Sequence, residues 1–266
     1  MNDMPKVTVL LPINRDDGFF KLALDSILYQ TYRNFELLIL ANNCTNELWE
    51  EILKIAKIDN RIIPVRLDLG GLTFALNYGL NIAKGEYIAR MDADDISYVD
   101  RLDKQVKFLD TFDDVVLVGT RIRLIDESST PLQHQPKPKP TEFKDILNYS
   151  YWTCPIAHPT VMFRKSDILK LGGYKFGYYG EDYDLWLRLI ESNYKINNLS
   201  EILVDYRMHS QQLSSIGFDK KISSAITSVM VYHLLLTSNF KFLKGIFMNS
   251  RLASRLINVY RFLKRR

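Results

Sequence analysis

Short apolar runs, rich in β-branched residues, alternate along the first hundred positions with stretches in which apolar residues recur every three or four. Residues 7–11, 35–40 and 86–91 are runs of the first kind. They are too short for helices and predominantly apolar, which predicts strands buried on both faces. Between them, residues 20–28 place Leu24, Ile27 and Leu28 on one helical face, 48–58 place Ile52, Ile55 and Ala56, and 72–83 place Leu76, Leu80 and Ala83. That spacing predicts amphipathic helices. Strand and helix alternating at this length predict βαβ units: an α/β chain with a right-handed, mostly parallel sheet and helices on both faces. Ligands of such sheets bind beyond the carboxyl ends of the strands. Polar clusters stand there: Pro12-Ile13-Asn14-Arg15, Ala41-Asn42-Asn43-Cys44 and Asp92-Ala93-Asp94-Asp95.

The second half reads differently. Residues 115–126 predict two strands around Gly119, and three prolines within 133–140 predict an exposed loop. A short helix near 142–148, a strand near 160–163, a turn at Gly172-Gly173, a helix over 181–191 and strands near 194–197 and 202–206 follow, mixed in direction. Beyond them, Ile222, Ala225, Ile226, Val229 and Met230, and then Leu252, Leu256, Val259, Tyr260 and Leu263, predict amphipathic helices. The expected organisation is one domain over 1–215, with halves at about 1–120 and 121–215, and a helical extension over 216–266.

Composition narrows the class. A chain of 266 residues with 47% apolar and 25% charged residues is globular. Cys44 and Cys154 lie far apart without CxxC spacing, which suggests neither a disulfide framework nor a thiolate zinc site. The N-terminus lacks the order of a secretory signal and no apolar run reaches the ~20 residues of a membrane span, so the expected location is the cytoplasm. The net charge of +4 is unevenly spread: residues 219–266 hold ten Lys or Arg and one acid, the remainder 25 basic and 30 acidic residues. Such a split points to a basic element with its own partner.

Three carboxylates within four positions, Asp92, Asp94 and Asp95, repel one another. A hard divalent cation, which prefers oxygen ligands, relieves that repulsion. The plainer reading of Asp94 or Asp95 is the cap of a following helix.

The ordered set of Val7-Thr8-Val9-Leu10-Leu11-Pro12, Leu72-Thr73-Phe74-Ala75-Leu76-Asn77-Tyr78-Gly79-Leu80, Ala83-Lys84-Gly85-Glu86, Asp92-Ala93-Asp94-Asp95, Gly172-Gly173-Tyr174 and Gly180-Glu181-Asp182-Tyr183-Asp184-Leu185-Trp186 resembles the family 2 glycosyltransferases of GT-A fold. The resemblance spans about residues 5–210 and rests on the order of the motifs, each of which is weak alone. It implies an inverting, metal-assisted transfer of a hexose or N-acetylhexosamine from a nucleotide sugar, UDP being expected, to a lipid-linked or cell-surface glycan. It places Asp92 on the ribose and Asp94 on Mn²⁺ or Mg²⁺, with Pro12, Asn14, Asn42 and Asp68 bordering the nucleotide. Where the family usually carries an acidic pair, this chain has Asn42-Asn43, and an amide still offers a uracil edge a donor and an acceptor. Asp182 is expected as the general base, with Asp184 second in line, and Glu181 on the acceptor. Trp186 is expected to offer a face for sugar stacking. His209 is expected as a further metal or diphosphate ligand, Arg207 as a phosphate partner. His158-Pro159-Thr160 is similar to a segment of relatives that build lipid-linked or surface glycans, which puts His158 in the acceptor cleft. For His158, His209 and the 42–45 segment an ordinary structural role stands as the alternative, as do the start of the Gly70-Gly71 turn for Asp68 and the helix N-terminus for Glu181 or Asp182.

Two readings of the tail stand side by side. Residues 240–266 lie on an anionic membrane surface, the inner leaflet, or the helices pack on the catalytic domain. Three other functions compete with the leading one. A sugar nucleotidyltransferase is disfavoured by the single glycine after the first strand. A non-catalytic carbohydrate-binding descendant is disfavoured by the presence of Asp92, Asp94 and Asp182. Nucleic-acid binding is disfavoured by the lack of a reading motif in the basic tail.

Overall fold

The computed structural model describes residues 4–175, 179–209 and 218–250. In order, the elements are β1 (Val7–Ile13), α1 (Phe20–Leu28), β2 (Phe35–Asn42), α2 (Asn46–Ala56), β3 (Ile62–Leu67), α3 (Leu72–Ile82), β4 (Tyr87–Arg90), β5 (Ile96–Ser97) and α4 (Arg101–Thr111). They continue with β6 (Val115–Ile125), α5 (Phe143–Ser150), β7 (Met162–Arg164), α6 (Lys165–Lys170), α7 (Glu181–Glu191), β8 (Lys195–Arg207), α8 (Phe218–Thr237) and α9 (Phe242–Met248). The strands form one eight-stranded sheet in the order β3-β2-β1-β4-β7-β6-β8-β5. The first four are parallel, as the βαβ pattern predicts. β7 runs against both its neighbours, and β5 runs against β8. The order turns back at β1, between β2 and β4; in such sheets the ligand crevice lies at this switch point, beyond the strand ends that carry the polar clusters.

Alternation along β1 splits the core. Val7, Val9 and Leu11 face a layer containing Phe20, Leu24 and Ile27 of α1 and Leu102, Val106 and Leu109 of α4. Leu10 faces the opposite layer, with Leu76 and Leu80 of α3 and Leu185, Trp186 and Leu189 of α7. The far side of α7 is covered in turn: Tyr183 and Leu187 pack against Val229 and Met230 of α8 and Phe242 of α9. Of the two readings of the tail, packing on the catalytic domain therefore describes residues 223–250. The expected boundary at 215 and the segment 251–266 lie outside the described residues.

Three segments differ from the expectations. The two strands expected in 115–126 are one strand, β6, which shifts register against β8 near Gly119 and Arg121. A Cβ on Gly119 would lie 2.4 Å from both Asn198 Oδ1 and Ile156 Cγ2, so glycine is needed for close approach, not for a turn. Likewise 194–197 and 202–206 are one strand, β8, whose ladder to β6 carries it across the polar middle. Residues 158–160 form a 3₁₀ turn, and the strand expected at 160–163 begins at Met162.

Candidate active site

β4 stops at Arg90, and the Met91 N–H donates to Leu10 O (3.1 Å), holding the chain on β1 as it enters the acidic turn. The turn ends in β5, which pairs with β8 through Ile96↔Asp205 and Ser97↔Val204. That short ladder brings the end of β8 beside the carboxylates. Arg207 donates its backbone N–H to Asp95 Oδ1 (2.9 Å) and its Nε to Asp94 O (2.8 Å). Its guanidinium lies 4.4 Å from the centre of the Phe19 ring and donates to Asp126 O and Ser129 Oγ. Arg207 thus braces the turn, where the sequence reading expected it on a phosphate. His209 follows two residues later, with Nε2 2.9 Å from Asp94 Oδ2, and its ring packs on Phe19 (5.2 Å between centroids).

Asp92, Asp94 and Asp95 each offer an oxygen within 4.8 Å of the others. Asp95 is wholly buried, and burial, reinforced by the charges of Asp94 and Asp92, pushes its carboxyl well above the usual range. Its Oδ2 has no hydrogen-bond partner among the described residues. Asp92 is also raised by burial, against the pull of Arg90, which grips both its oxygens at 2.6 and 2.5 Å. A crowded carboxylate set with an unpartnered buried oxygen fits a hard divalent cation. Asp94 and Asp95 are the members whose carboxylates are not paired with a guanidinium, so they, with Asp92 close by, are the residues that would hold one.

Arg90 was not anticipated. It is almost fully buried, and its charge also acts on Tyr174, His158 and Glu181, so one guanidinium stands between the acidic turn and the opposite wall of the crevice. A charged residue inside an otherwise apolar strand was the available signal. Beneath it, buried Arg101 donates to Arg90 O (2.8 Å) and Gln105 donates to Val118 O and Thr160 O, tying α4 to the end of β4, to β6 and to the turn before β7. Burial and the charge of Arg90 push the Arg101 guanidinium down to about 9.

The opposite wall collects His158, Tyr174, Glu181 and Asp182. His158 Nε2 lies 3.0 Å from Tyr174 Oη and its Nδ1 3.6 Å from Glu181 Oε1. Burial, then Arg90, push this imidazole down to about 3, while Asp182 and Asp92 act the other way. Asp182 and Asp92 therefore both lie within electrostatic reach of His158. Glu181, at the start of α7, is raised by burial. Asp182 is half-buried; its Oδ1 accepts the Tyr183 N–H (2.7 Å) and its Oδ2 accepts the Cys154 thiol (3.5 Å).

Two expected roles need correction. Trp186 is wholly buried among Leu185, Leu189 and the sheet, with its ring edge-on to His158 at 6.0 Å, so it has no face for a sugar; the apolar stripe that suggested it is the core side of α7. Asp184 is wholly buried in ion pairs with Arg188 (2.8 Å) and His233 (3.2 Å), which removes it as a second-choice base.

Of the residues expected at the nucleotide, Pro12 is buried within β1 and Asn14 is exposed just past its end. Leu10 is the last β1 residue paired to β4, so the N–H that Pro12 lacks, on the same side of the strand, interrupts no ladder there. Asn42 turns its amide inward, donating to Ile13 O (3.3 Å) and accepting the Gly71 N–H (3.2 Å). It is a strut joining β1, β2 and the start of α3, and the expected base-reading amide is already engaged. Asn43 is exposed with φ 49°, and Asp68 is exposed after β3.

The sheet is mostly parallel, and its strand-end carboxylates stand opposite the acid-bearing start of α7, an arrangement that fits a glycosyltransferase of GT-A fold. The profile of the family described as "Glycosyl transferase family 2" matches residues 9–172, and the chain belongs to that family. The chain is 40% identical to the O-antigen biosynthesis glycosyltransferase WbnJ of Escherichia coli over 218 residues, covering 80% of this chain and 84% of that one. It is 29% identical to the UDP-Gal:alpha-D-GlcNAc-diphosphoundecaprenol beta-1,3-galactosyltransferase of Escherichia coli, covering 90% and 86%. Among solved structures it resembles the mannosyltransferase PcManGT from Pyrobaculum calidifontis in complex with GDP-Man and Mn²⁺, with TM-score 0.70 at 15% identity, covering 98% of this chain and 81% of that one. It resembles S. aureus TarS 1-349 in complex with UDP-GlcNAc equally well, with TM-score 0.70 at 18% identity, covering 93% and 74%. The protein is a family 2 glycosyltransferase acting in glycan biosynthesis.

Proposed function

We propose that this enzyme transfers a hexose or N-acetylhexosamine from a UDP-sugar to a lipid-linked or cell-surface glycan, with inversion at the anomeric carbon. The observation that carries the reading is the acidic turn Asp92–Asp95 at the end of β4, drawn together with His209 across the crevice from Asp182. Asp92, oriented by Arg90, binds the donor ribose, with Pro12, Asn14 and Asp68 bordering the nucleotide. Asp94, backed by Asp95 and His209, holds Mn²⁺ or Mg²⁺. The ion supplies positive charge against the departing diphosphate. Asp182 accepts the proton of the acceptor hydroxyl as its oxygen bonds to the anomeric carbon and the bond to the nucleoside diphosphate breaks. His158 and Glu181 line the acceptor side. A UDP donor and a diphospholipid acceptor are favoured because the galactosyltransferase relative is named for that pair.

The same reading places the enzyme on the cytoplasmic face of the inner membrane as a peripheral protein. No described helix is long and apolar enough to cross a membrane. The outer side of the α8–α9 pair exposes Leu235, Leu236, Phe240, Leu243 and Phe247 beside Lys241 and Lys244, an apolar and basic combination suited to anionic headgroups.

The chemistry is tested by titrating the protein with UDP-, GDP- and dTDP-sugars in Mn²⁺ and by following transfer to a GlcNAc-diphospholipid. Asp94→Asn is expected to abolish metal-dependent donor binding. Asp182→Asn is expected to bind donor like the parent while transfer falls at least ~10²-fold. Transfer at the parental rate by Asp182→Asn overturns the base assignment, and parental Mn²⁺ dependence in Asp94→Asn overturns the metal assignment.

A further inference from the structure

The helix that carries Glu181 and Asp182 is gripped from outside the catalytic layer. Gly180, its N-cap, sits in the left-handed region (φ 85°), and a Cβ there would lie 2.8 Å from Val229 Cγ2 of α8. One turn into α7, Asp184 Oδ1 lies 3.2 Å from His233 Nε2 of α8, while Asp184 Oδ2 accepts Arg188 Nε at 2.8 Å. The other nitrogen of His233 reaches Glu191 at 2.8 Å. Asp184 and Glu191 are two helical turns apart on one face of α7, and the wholly buried His233 ring spans them. A carboxylate at each nitrogen favours the imidazolium form, which donates from both.

The contact continues past α7. Arg188 donates Nη1 to Leu171 O (3.0 Å) and Nη2 to Gly173 O (2.7 Å). That turn presents Tyr174, which Asn77 holds through its N–H and carbonyl and which bonds His158. A continuous run of charged and polar contacts therefore leads from α8 to two parts of the acceptor wall: the first turn of α7 and the Tyr174–His158 pair.

We propose that α8 is a positioning element for the acceptor half of the active site and that His233 is the residue through which it acts, fixing α7 and hence Asp182 and Glu181. The catalytic consequence rests on the function proposed above; the docking itself rests only on the contacts. Removing His233 leaves the buried Asp184 Oδ1 without its donor, with Arg188 alone on the other oxygen, and unties Glu191 from α8. A buried carboxylate oxygen left without a donor is costly, so α7 shifts or frays.

The test uses the full-length protein with His233→Ala and His233→Gln, the amide of the latter standing near the Nε2 position and able to donate to Asp184. Three quantities are read: hydrogen exchange by segment, UDP affinity in Mn²⁺, and acceptor KM and kcat for transfer to a GlcNAc-diphospholipid. For His233→Ala the expected result is exchange at residues 183–191 faster by ~10-fold or more, with the amides of β1 and β4 unchanged. UDP affinity stays within about twofold, and transfer loses ~10-fold or more through acceptor KM, kcat or both, with partial recovery in His233→Gln. Unchanged exchange at 183–191 overturns the proposal. So does uniform acceleration across the sheet with UDP binding lost in parallel, because that reports a merely structural histidine. If Asp182→Asn transfers at the parental rate while His233→Ala still frees α7 and weakens acceptor use, the base assignment fails and the positioning role of α8 stands.

Discussion

His158 is a histidine kept neutral by its surroundings. Burial, and behind it the charge of Arg90, hold its imidazole down at about 3, whereas an unfolded histidine titrates near ~6.5. Between those values the unfolded chain takes up a proton that the native one refuses. The stability contributed by the neutral ring is therefore complete above ~6.5 and is lost as pH falls toward the folded value. The denaturant midpoint of the parent should drop between pH ~7 and ~5, and His158→Gln, which can still bond Tyr174 but has no proton to take up, should flatten that dependence. Equal slopes for the two proteins would show that His158 does not set it. The same scale shows what the residues disclosed. The acidic turn was legible because three like charges within four positions call for an external partner. Its bracing by Arg207 was not, because the hydrogen bonds from Arg207 to Asp94 and Asp95 cross more than a hundred residues and exist only once β5 pairs with β8. Trp186 misled because an indole on an apolar stripe has the same periodicity whether it faces sugar or core.

At the scale of elements, β1, β2, β4, α1–α3 and α7 follow their hydrophobic periods closely. The elements that escaped have specific reasons. β3 contains Pro64, which interrupts a strand pattern and is tolerated because β3 is an edge strand. α4 buries Arg101 and Gln105 beside Leu102, Val106 and Leu109, so polar residues interrupt the apolar stripe of its inner face. β6 and β8 each looked like two strands because Gly119 and the polar stretch around Asn198 break the pattern, while the ladder between them continues. The α7 N-cap can be tested directly. Gly180 combines a left-handed backbone with a neighbour, Val229 Cγ2, where a methyl group would go. Gly180→Ala should cost about 1–2 kcal/mol for the backbone conformation alone, more with the contact to α8, and should lower the denaturant midpoint. Pairing it with Val229→Ala should recover the steric part and leave the backbone part. A Gly180→Ala protein as stable as the parent would mean that neither constraint operates.

For the whole molecule, the uneven charge and the layering bear on one question, which is where the enzyme works. The extension has two faces with different partners. Val229, Met230 and Phe242 turn inward onto α7, so the helices are part of the folded catalytic body. Leu235, Leu236 and Phe240 turn outward at 77%, 60% and 72% exposure, at the end of α8 and in the α8–α9 connection. Lys241 and Lys244 stack over Tyr151 and Trp152 (5.2 and 4.2 Å), which places aromatic rings and ammonium groups side by side, as at a membrane interface. The packed inner face means that deleting the extension would expose the outside of α7 and confound a binding test, so point changes on the outer face are the right probe. The parent should float with vesicles containing ~30% anionic lipid and release at ~0.5 M salt, since the attraction is partly electrostatic and is screened. Leu235→Ser combined with Phe240→Ser should reduce flotation while leaving UDP affinity and the melting profile near parental values, because neither side chain contributes to the inner contact. Parental flotation by that double variant would remove the outer face as the membrane contact. Flotation lost together with UDP binding would instead mark these residues as part of the fold.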